Sequence, residues 1–385
     1  MKLAFVADVH IGNHQYSGGA LTAGVNERCE STLRVFSSAL SRAHSMGCEQ
    51  LIVLGDLFDS VRPNPQTLTR VRALLEAANF NTTLLIGNHD RNSSVAGDHA
   101  LGPLGRTDRE RGPEISVIET PYIADYGRAY CVNLPFLDTP VTEWFEPLIE
   151  KLVTFAGTGK SPLPILAAFV HFGLYDATLA AKTPWVRAAK DAADVAWVAA
   201  ILKKYGIKHL FAGNWHTFQR WEIDGVHLTQ VGALVPTGFD NSGGLGYGGL
   251  VVFDTLSEQY TFVELPGPRF FKIRSLAEWG DLCLDISLSS ESLPEVHISW
   301  TCQPDEMSTA LAALRTAHVP WLKSYRVLPD AKAASSFLRH TANIARQSDT
   351  VAELTAKFMS DYCLPEDCRR VVVQAHVLRF LGGSL

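Results

Sequence analysis

The chain of 385 residues is poor in sulfur, with seven cysteines, four methionines and no CxxC pair. Cys29, Cys48, Cys131, Cys283, Cys302, Cys363 and Cys368 are scattered and odd in number. That argues against a zinc finger or a disulfide framework and leaves reduced thiols in a cytoplasm as the simple reading. Long apolar runs are also missing: none reaches the roughly 18–20 residues of a membrane-spanning helix. The opening MKLAFVADVH meets Asp8 and His10 before a signal-peptide core can form. Nor is there an excess of positive charge, since 34 basic against 40 acidic residues give −6. A protein that coats nucleic acid through general basicity is therefore not expected. A local DNA groove is compatible, because a metal site itself needs carboxylates. Disorder is excluded by 46% hydrophobic against 19% charged residues. The length exceeds what one core usually supports, so a large domain with a smaller extension is expected.

What is present is an alternation of strands and helices over the first two thirds. Lys2–Ala7, Gln50–Leu54, Thr82–Ile86, Pro164–Val170 and Lys208–Ala212 read as short apolar strands. Between them, Glu27–Met46, Pro65–Asn79 and Ala193–Tyr205 have helical spacing, so the class is α/β with sheets covered by helices. Further strands are expected at 219–223, 227–231, 250–253 and 259–265. Pro266-Gly267-Pro268 is the best boundary. Beyond it, strands at 270–274, 282–288 and 296–301 and a helix at 304–318 suggest a small α+β module. The tail shows two helical patterns, Thr350–Tyr362 and Pro365–Leu381.

Five segments that could ligate a metal each close an apolar strand: Asp8-Val9-His10, Gly55-Asp56-Leu57-Phe58-Asp59, Gly87-Asn88-His89-Asp90, Val170-His171 and Gly213-Asn214-Trp215-His216. Any one alone is weak, because a lone DxH or GD is more often incidental. Five in order make chance improbable. A parallel or mixed sheet would bring all five strand ends to one edge, where α/β proteins build their sites. The mixed carboxylate, imidazole and amide set suits Mn²⁺, Fe or Mg²⁺-like ions and lacks the thiolates of structural zinc.

On these segments the chain resembles the calcineurin-like metallophosphoesterases from Lys2 to about Leu265. Within them it is most similar to the SbcD-type DNA repair and recombination nucleases, including bacteriophage-encoded forms. The narrower likeness rests on Ala7-Asp8-Val9-His10-Ile11-Gly12, on Gly55-Asp56-Leu57-Phe58-Asp59-Ser60 with Arg62-Pro63, and on Thr229-Gln230-Val231-Gly232-Ala233 before a Phe253-Asp254 strand end. The resemblance implies a four-layer α/β/β/α metallophosphoesterase sandwich over residues 1–267, a small α+β DNA-capping domain over 268–330, and a linker with C-terminal helices over 331–385. It implies two Mn²⁺ per chain, with Mg²⁺ or Fe as substitutes. Asp8, His10 and His216 would hold one and Asn88 and His171 the other, with Asp56 bridging. His89 would act as the acid, oriented by Asp90. The family usually carries a second imidazole where Asn214 stands, so Asn214 would offer an amide oxygen and the second site could be weaker. Asn214→His would then tighten it.

The resemblance further implies a Mn²⁺-dependent exonuclease and endonuclease working with an SbcC-type coiled-coil ATPase through the C-terminal helices. It also implies a homodimer through the phosphodiesterase domain and a location in a bacterial cytoplasm or phage-infected host. The alternatives are a metallophosphatase on other phosphoesters and a weakly catalytic DNA-end scaffold. Asp59 reads as a support for the ligands or a turn cap, more than as a ligand. His14, Arg62 and Arg91 are candidate DNA contacts, with a solvated surface as the plainer alternative. Two basic groups follow the motifs, Arg91, Arg106, Arg109 and Arg111, then Lys182, Arg187 and Lys190. The GxGxxG match at 244–249 leads into a strand, so no helix N-terminus would hold a pyrophosphate.

Overall fold

A computed structural model describes residues 1–13, 21–22, 24–106, 112–126, 130–157, 164–239, 249–288, 295–317 and 319–330. His14, Arg109, Arg111 and the two expected tail helices lie outside the described residues. The chain divides into two compact units, Met1–Phe271 with Glu291–His297, and Lys272–Ser290 with Ile298–Leu385.

Two six-stranded mixed sheets build the first unit. One runs in the order Gln259–Val263, Leu250–Asp254, Lys2–Val6, Gln50–Val53, Asn81–Leu85, Ile115–Ile118. In it Lys2–Val6 lies parallel to Gln50–Val53 and antiparallel to Leu250–Asp254. The other runs Gln219–Ile223, Val226–Gln230, His209–Gly213, Ile165–His171, Tyr130–Leu134, Tyr122–Asp125. Successive side chains on a strand face opposite ways, and that sorts the core into layers. Leu3, Phe5 and Ala7 pack with Phe169, Phe211 and Phe253, between the sheets. Ala4 and Val6 of the same strand pack with Leu33, Phe36 and Leu40 of the Glu27–Ser45 helix. On the far side Val170, Leu210 and Ala212 pack with Phe145, Val198 and Leu202 of the Val141–Gly157 and Val195–Lys204 helices. The unit is thus a four-layer α/β/β/α sandwich.

The helices start where local chemistry satisfies their first amides. Asn26 Oδ1 accepts from Cys29 N at 2.9 Å, Asn64 Oδ1 from Thr67 N at 2.7 Å, and Asp194 Oδ1 from Ala196 N at 2.9 Å. Pro65 opens its helix at a position whose amide has no partner to lose. Three strands between residues 115 and 134 and the Val141–Gly157 helix are additional to the expected elements; Pro147 inside that helix hides its pattern.

In the second unit one expectation is corrected. Residues 282–288 alternate apolar and polar and read as a strand, but they end the Leu276–Leu288 helix. Leu276, Trp279, Cys283 and Ile286 recur at three- and four-residue spacing, and the buried Trp279 and Ile286 decide the matter. Trp279 packs on Trp321 at 5.7 Å and on Trp300 at 6.4 Å. Among the described residues no helix is long and apolar enough to cross a membrane. The described cysteines are free thiols.

Candidate metal centre

The five sequence segments meet, but from two sheets rather than one edge. Lys2–Val6, Gln50–Val53 and Asn81–Leu85 deliver Asp8, Asp56 and Asn88, while Ile165–His171 and His209–Gly213 deliver His171 and His216. The first two loops zip together: Asp8 N donates to Gly55 O at 3.2 Å, His10 N to Asp56 O at 3.0 Å, and Ile11 N to Leu57 O at 2.9 Å. Among the described residues, four of the seven non-glycine positions with positive φ are Asp8, His10, Asp56 and Asn214. Such backbone costs about 1–3 kcal/mol per residue and persists only where its surroundings enforce it.

His171 is buried and its Nδ1 donates to Leu54 O at 2.6 Å. A carbonyl can only accept, so Nδ1 carries a proton and Nε2 is the nitrogen left for an ion once its own proton is displaced. That nitrogen lies 2.9 Å from Asn88 Oδ1 and 3.5 Å from Asp56 Oδ1. On the other flank His10 Nε2 sits 3.2 Å from His216 Nε2 and 3.8 Å from Asp56 Oδ2. His216 Nδ1 lies 3.0 Å from Thr237 Oγ1. Donor atoms of Asp8, His10 and His216 fall within 4.8 Å of one another, as do those of Asp8, Asp56 and His171. A third such group joins His10, Asp59 and His89.

These residues fit divalent ions on their own chemistry. Asp8 is fully buried, Oδ1 accepting from Asn214 N at 2.9 Å while Oδ2 has no hydrogen-bond partner. An orphaned buried carboxylate oxygen is costly unless a cation meets it. Burial pushes the Asp8 carboxyl up to about 8, with the neighbouring Asp56 charge adding to it. Burial also works against the Asp56 charge, but His171, His10 and His89 outweigh it and hold that carboxyl below its usual range. Burial likewise opposes the His171 charge, yet Asp56, Asp8 and the Leu54 carbonyl raise it to about 9. His216, which burial lowers to about 4, is neutral and ready to ligate.

One expected role is corrected. Asp90 does not orient His89. It is fully buried and accepts from Gly87 N at 3.0 Å, Phe58 N at 3.1 Å and Leu57 N at 3.4 Å, pinning one strand-end loop to the next. His89 is exposed, and its Nδ1 donates to the backbone oxygen of Asp59 at 3.1 Å, which leaves Nε2 as its other ring nitrogen. Asn214 holds its amide nitrogen 3.1 Å from both Asp191 O and Asp191 Oδ2. Both partners are acceptors, so chemistry fixes the nitrogen there, and the backbone N–H of Asn214 also meets Asp8.

The basic residues divide. Arg91, expected to face DNA, spends its guanidinium on the carbonyls of Ser93, Ser94 and Phe136. Arg106 pairs with Glu76 and Lys190 with Asp138. Arg62, Lys182 and Arg187 are exposed. Thr237, Asp191 and the Leu54 carbonyl are site partners without a sequence signal, since a lone Thr, Asp or backbone oxygen carries no spacing. Gln230 sits in the quoted Thr229–Ala233 segment; it is buried and donates to Ala212 O at 3.1 Å and Gly213 O at 2.7 Å.

The chain belongs to the calcineurin-like phosphoesterase family, which it matches over residues 1–218. That family is one of metal-dependent phosphoester hydrolases. The chain is also similar to the DNA double-strand break repair protein Mre11 of Archaeoglobus fulgidus, 29% identical over 109 residues. The match takes in 27% of this chain and only 23% of that protein. Among solved structures it is similar to a dimetal phosphatase from Danio rerio, with 12% identity, TM-score 0.42, and coverage of 65% of this chain and 94% of that one. A novel archaeal phosphodiesterase gives 11% identity and TM-score 0.35, with 68% and 99% covered.

Proposed function

We propose that this chain is a Mn²⁺-dependent DNA nuclease subunit that hydrolyses phosphodiester bonds with two metal ions. The observation that carries the reading is Asp56, whose two oxygens face different ligand clusters, Oδ1 towards His171 and Oδ2 towards His10. Asp8, His10 and His216 would hold one ion and Asn88 and His171 the other. Bound there, such ions lower the pKa of a water, neutralise the phosphate and stabilise the leaving oxygen. The chain's own residues do the rest. Asp90 and the zipped loops hold the ligands, which spares reorganisation when substrate arrives. Leu54 and Thr237 set two imidazoles by their Nδ1 atoms. His89, fixed through Asp59 O, would keep Nε2 for handing a proton to a departing oxygen.

The DNA substrate is supported by the SbcD-like motif details and by the local likeness to the archaeal repair protein. Partnership with an SbcC-type ATPase rests on the apolar stripes of the tail, Val351, Leu354, Phe358 and Met359, then Val372, Val373, Val377, Phe380 and Leu381. Dimerisation through the first unit belongs to the same reading. One observation favours other phosphoesters instead: Arg91, Arg106 and Lys190 are already engaged within the chain, and the net charge is −6.

End-labelled duplex DNA with the purified chain and Mn²⁺, with and without the ATPase and ATP, tests the proposal. Nucleotide release that vanishes on chelation and in Asp56→Asn is expected. Hydrolysis of nitrophenyl phosphoesters with intact DNA in every arm would favour the second reading. DNA-end binding with no hydrolysis of either would leave the scaffold.

A further inference from the structure

We propose that Arg28 is a positioning residue for the metal centre, gripping the Pro236–Thr237 segment so that Thr237 fixes the His216 ring. The inference rests on the two-metal reading above. Arg28 is the second residue of the Glu27–Ser45 helix and only 3% exposed. The placement is unfavourable twice over. A cation near a helix N-terminus faces the positive end of the dipole, and a buried guanidinium loses its hydration. Burial brings it down to about 10, so it remains charged at neutral pH.

Its contacts repay that cost incompletely. Nη2 donates to the Pro236 carbonyl, the guanidinium lies 5.1 Å from the Phe270 ring centroid, and Nη1 is buried with no hydrogen-bond partner. The carboxylates that support its charge are Glu295 and Asp59. An apolar side chain of similar volume would fill this space with less penalty, so what the guanidinium holds is the informative part.

What it holds is the residue before Thr237. Proline has no N–H, so the carbonyl of Pro236 is its one polar handle on the backbone. The hydroxyl of Thr237 then lies 3.0 Å from His216 Nδ1, and His216 Nε2 lies 3.2 Å from His10 Nε2. The same segment is tied upstream by Ala233 N to His216 O and by Leu234 N to Ala7 O, both at 3.0 Å. Arg28 therefore closes the downstream end of a strap lying against one ligand. Through Asp59 its charge also reaches the residue whose backbone oxygen holds His89.

Titration of the full chain with Co²⁺, followed by visible absorption, separates this role from mere packing. Arg28→Met and Thr237→Val are each expected to weaken one Co²⁺ site about 10–100-fold, as loss of a ligand's support typically does. Both are expected to shift its spectrum in the same sense. The double variant is expected to be no weaker than the worse single one, because both act through His216. Arg28→Lys, with a donor but no planar fork, is expected to show a smaller loss with the same spectral shift. Wild-type affinity and spectrum in Arg28→Met, or losses that multiply in the double variant, overturn the inference. Should Arg28→Met not fold, Arg28→Lys decides: the Thr237→Val spectral shift supports the role and a wild-type spectrum overturns it. Wild-type protein that binds no Co²⁺ instead sinks the two-metal reading itself.

Discussion

At the scale of single residues the centre is an assembly of unfavourable states that support one another. Asp8, His10, Asp56 and Asn214 all adopt left-handed backbone, and Asp8 buries an oxygen with no donor. Gly87 shows how little space remains, since a Cβ there would lie 2.0 Å from Asp56 Oδ1. Gly87→Ala is expected to abolish detectable Mn²⁺ binding, measured by titration calorimetry; unchanged binding would mean Asp56 is free to move aside. In the proposed reading His89 serves the leaving oxygen, although its ring also falls in a group with His10 and Asp59 that could hold an ion. His89→Ala is expected to keep its metal content while kcat falls about 10²–10⁴-fold, the usual span for a general acid. Equal loss of metal and rate would make His89 a ligand instead.

The charges at this scale also predict a pH dependence. Asp8 and His171 are both raised, to about 8 and about 9, so at pH 7 each carries a proton that a cation must displace. Mn²⁺ affinity is therefore expected to rise from pH 7 towards pH 9. Proton release, read from calorimetry in buffers of different ionisation heat, is expected to decline over the same interval. Affinity that falls as pH rises would contradict the sign.

At the scale of elements, the ligands are only as well placed as the two sheets are registered. Phe5 stacks on Phe211 with ring centroids 4.3 Å apart and meets Phe169 edge-on at 5.0 Å. It therefore joins the sheet that carries Asp8 and Asp56 to the one that carries His171 and His216. Phe5→Ala is expected to cost about 3–5 kcal/mol in a urea melt and to weaken metal binding as well, although it touches no ligand. A stability loss with native metal affinity would show the loops to be self-sufficient. The Glu27–Ser45, Pro65–Ala77 and Val195–Lys204 helices of this unit were legible from spacing, whereas Pro147 hid the Val141–Gly157 helix. The Leu276–Leu288 helix was not legible either, because a period-two run of apolar residues is satisfied on either template until tertiary burial selects one.

At the scale of the whole molecule, ion binding and stability are linked, because a cation that binds the folded centre and not the open chain shifts unfolding by mass action. At a hundredfold excess over Kd the gain is about 2.7 kcal/mol per site. Mn²⁺ is expected to raise the thermal midpoint of the wild type, and Asp56→Asn is expected to remove that shift; a shift retained in Asp56→Asn would place the ions elsewhere.

The amino-acid sequence by itself determined the α/β class and the five strand-end motifs. Both are local properties: hydrophobic period, and polar residues where an apolar strand stops. It named the residues now found around Asp56. It did not reveal that they come from two sheets, that Asp90 binds three backbone amides, that Asn214 is anchored to Asp191, or that Arg91 faces carbonyls of its own chain. Those outcomes depend on which donors and acceptors lie within about 3 Å once distant segments pack. Spacing along a chain carries no information on that until the core between the sheets closes.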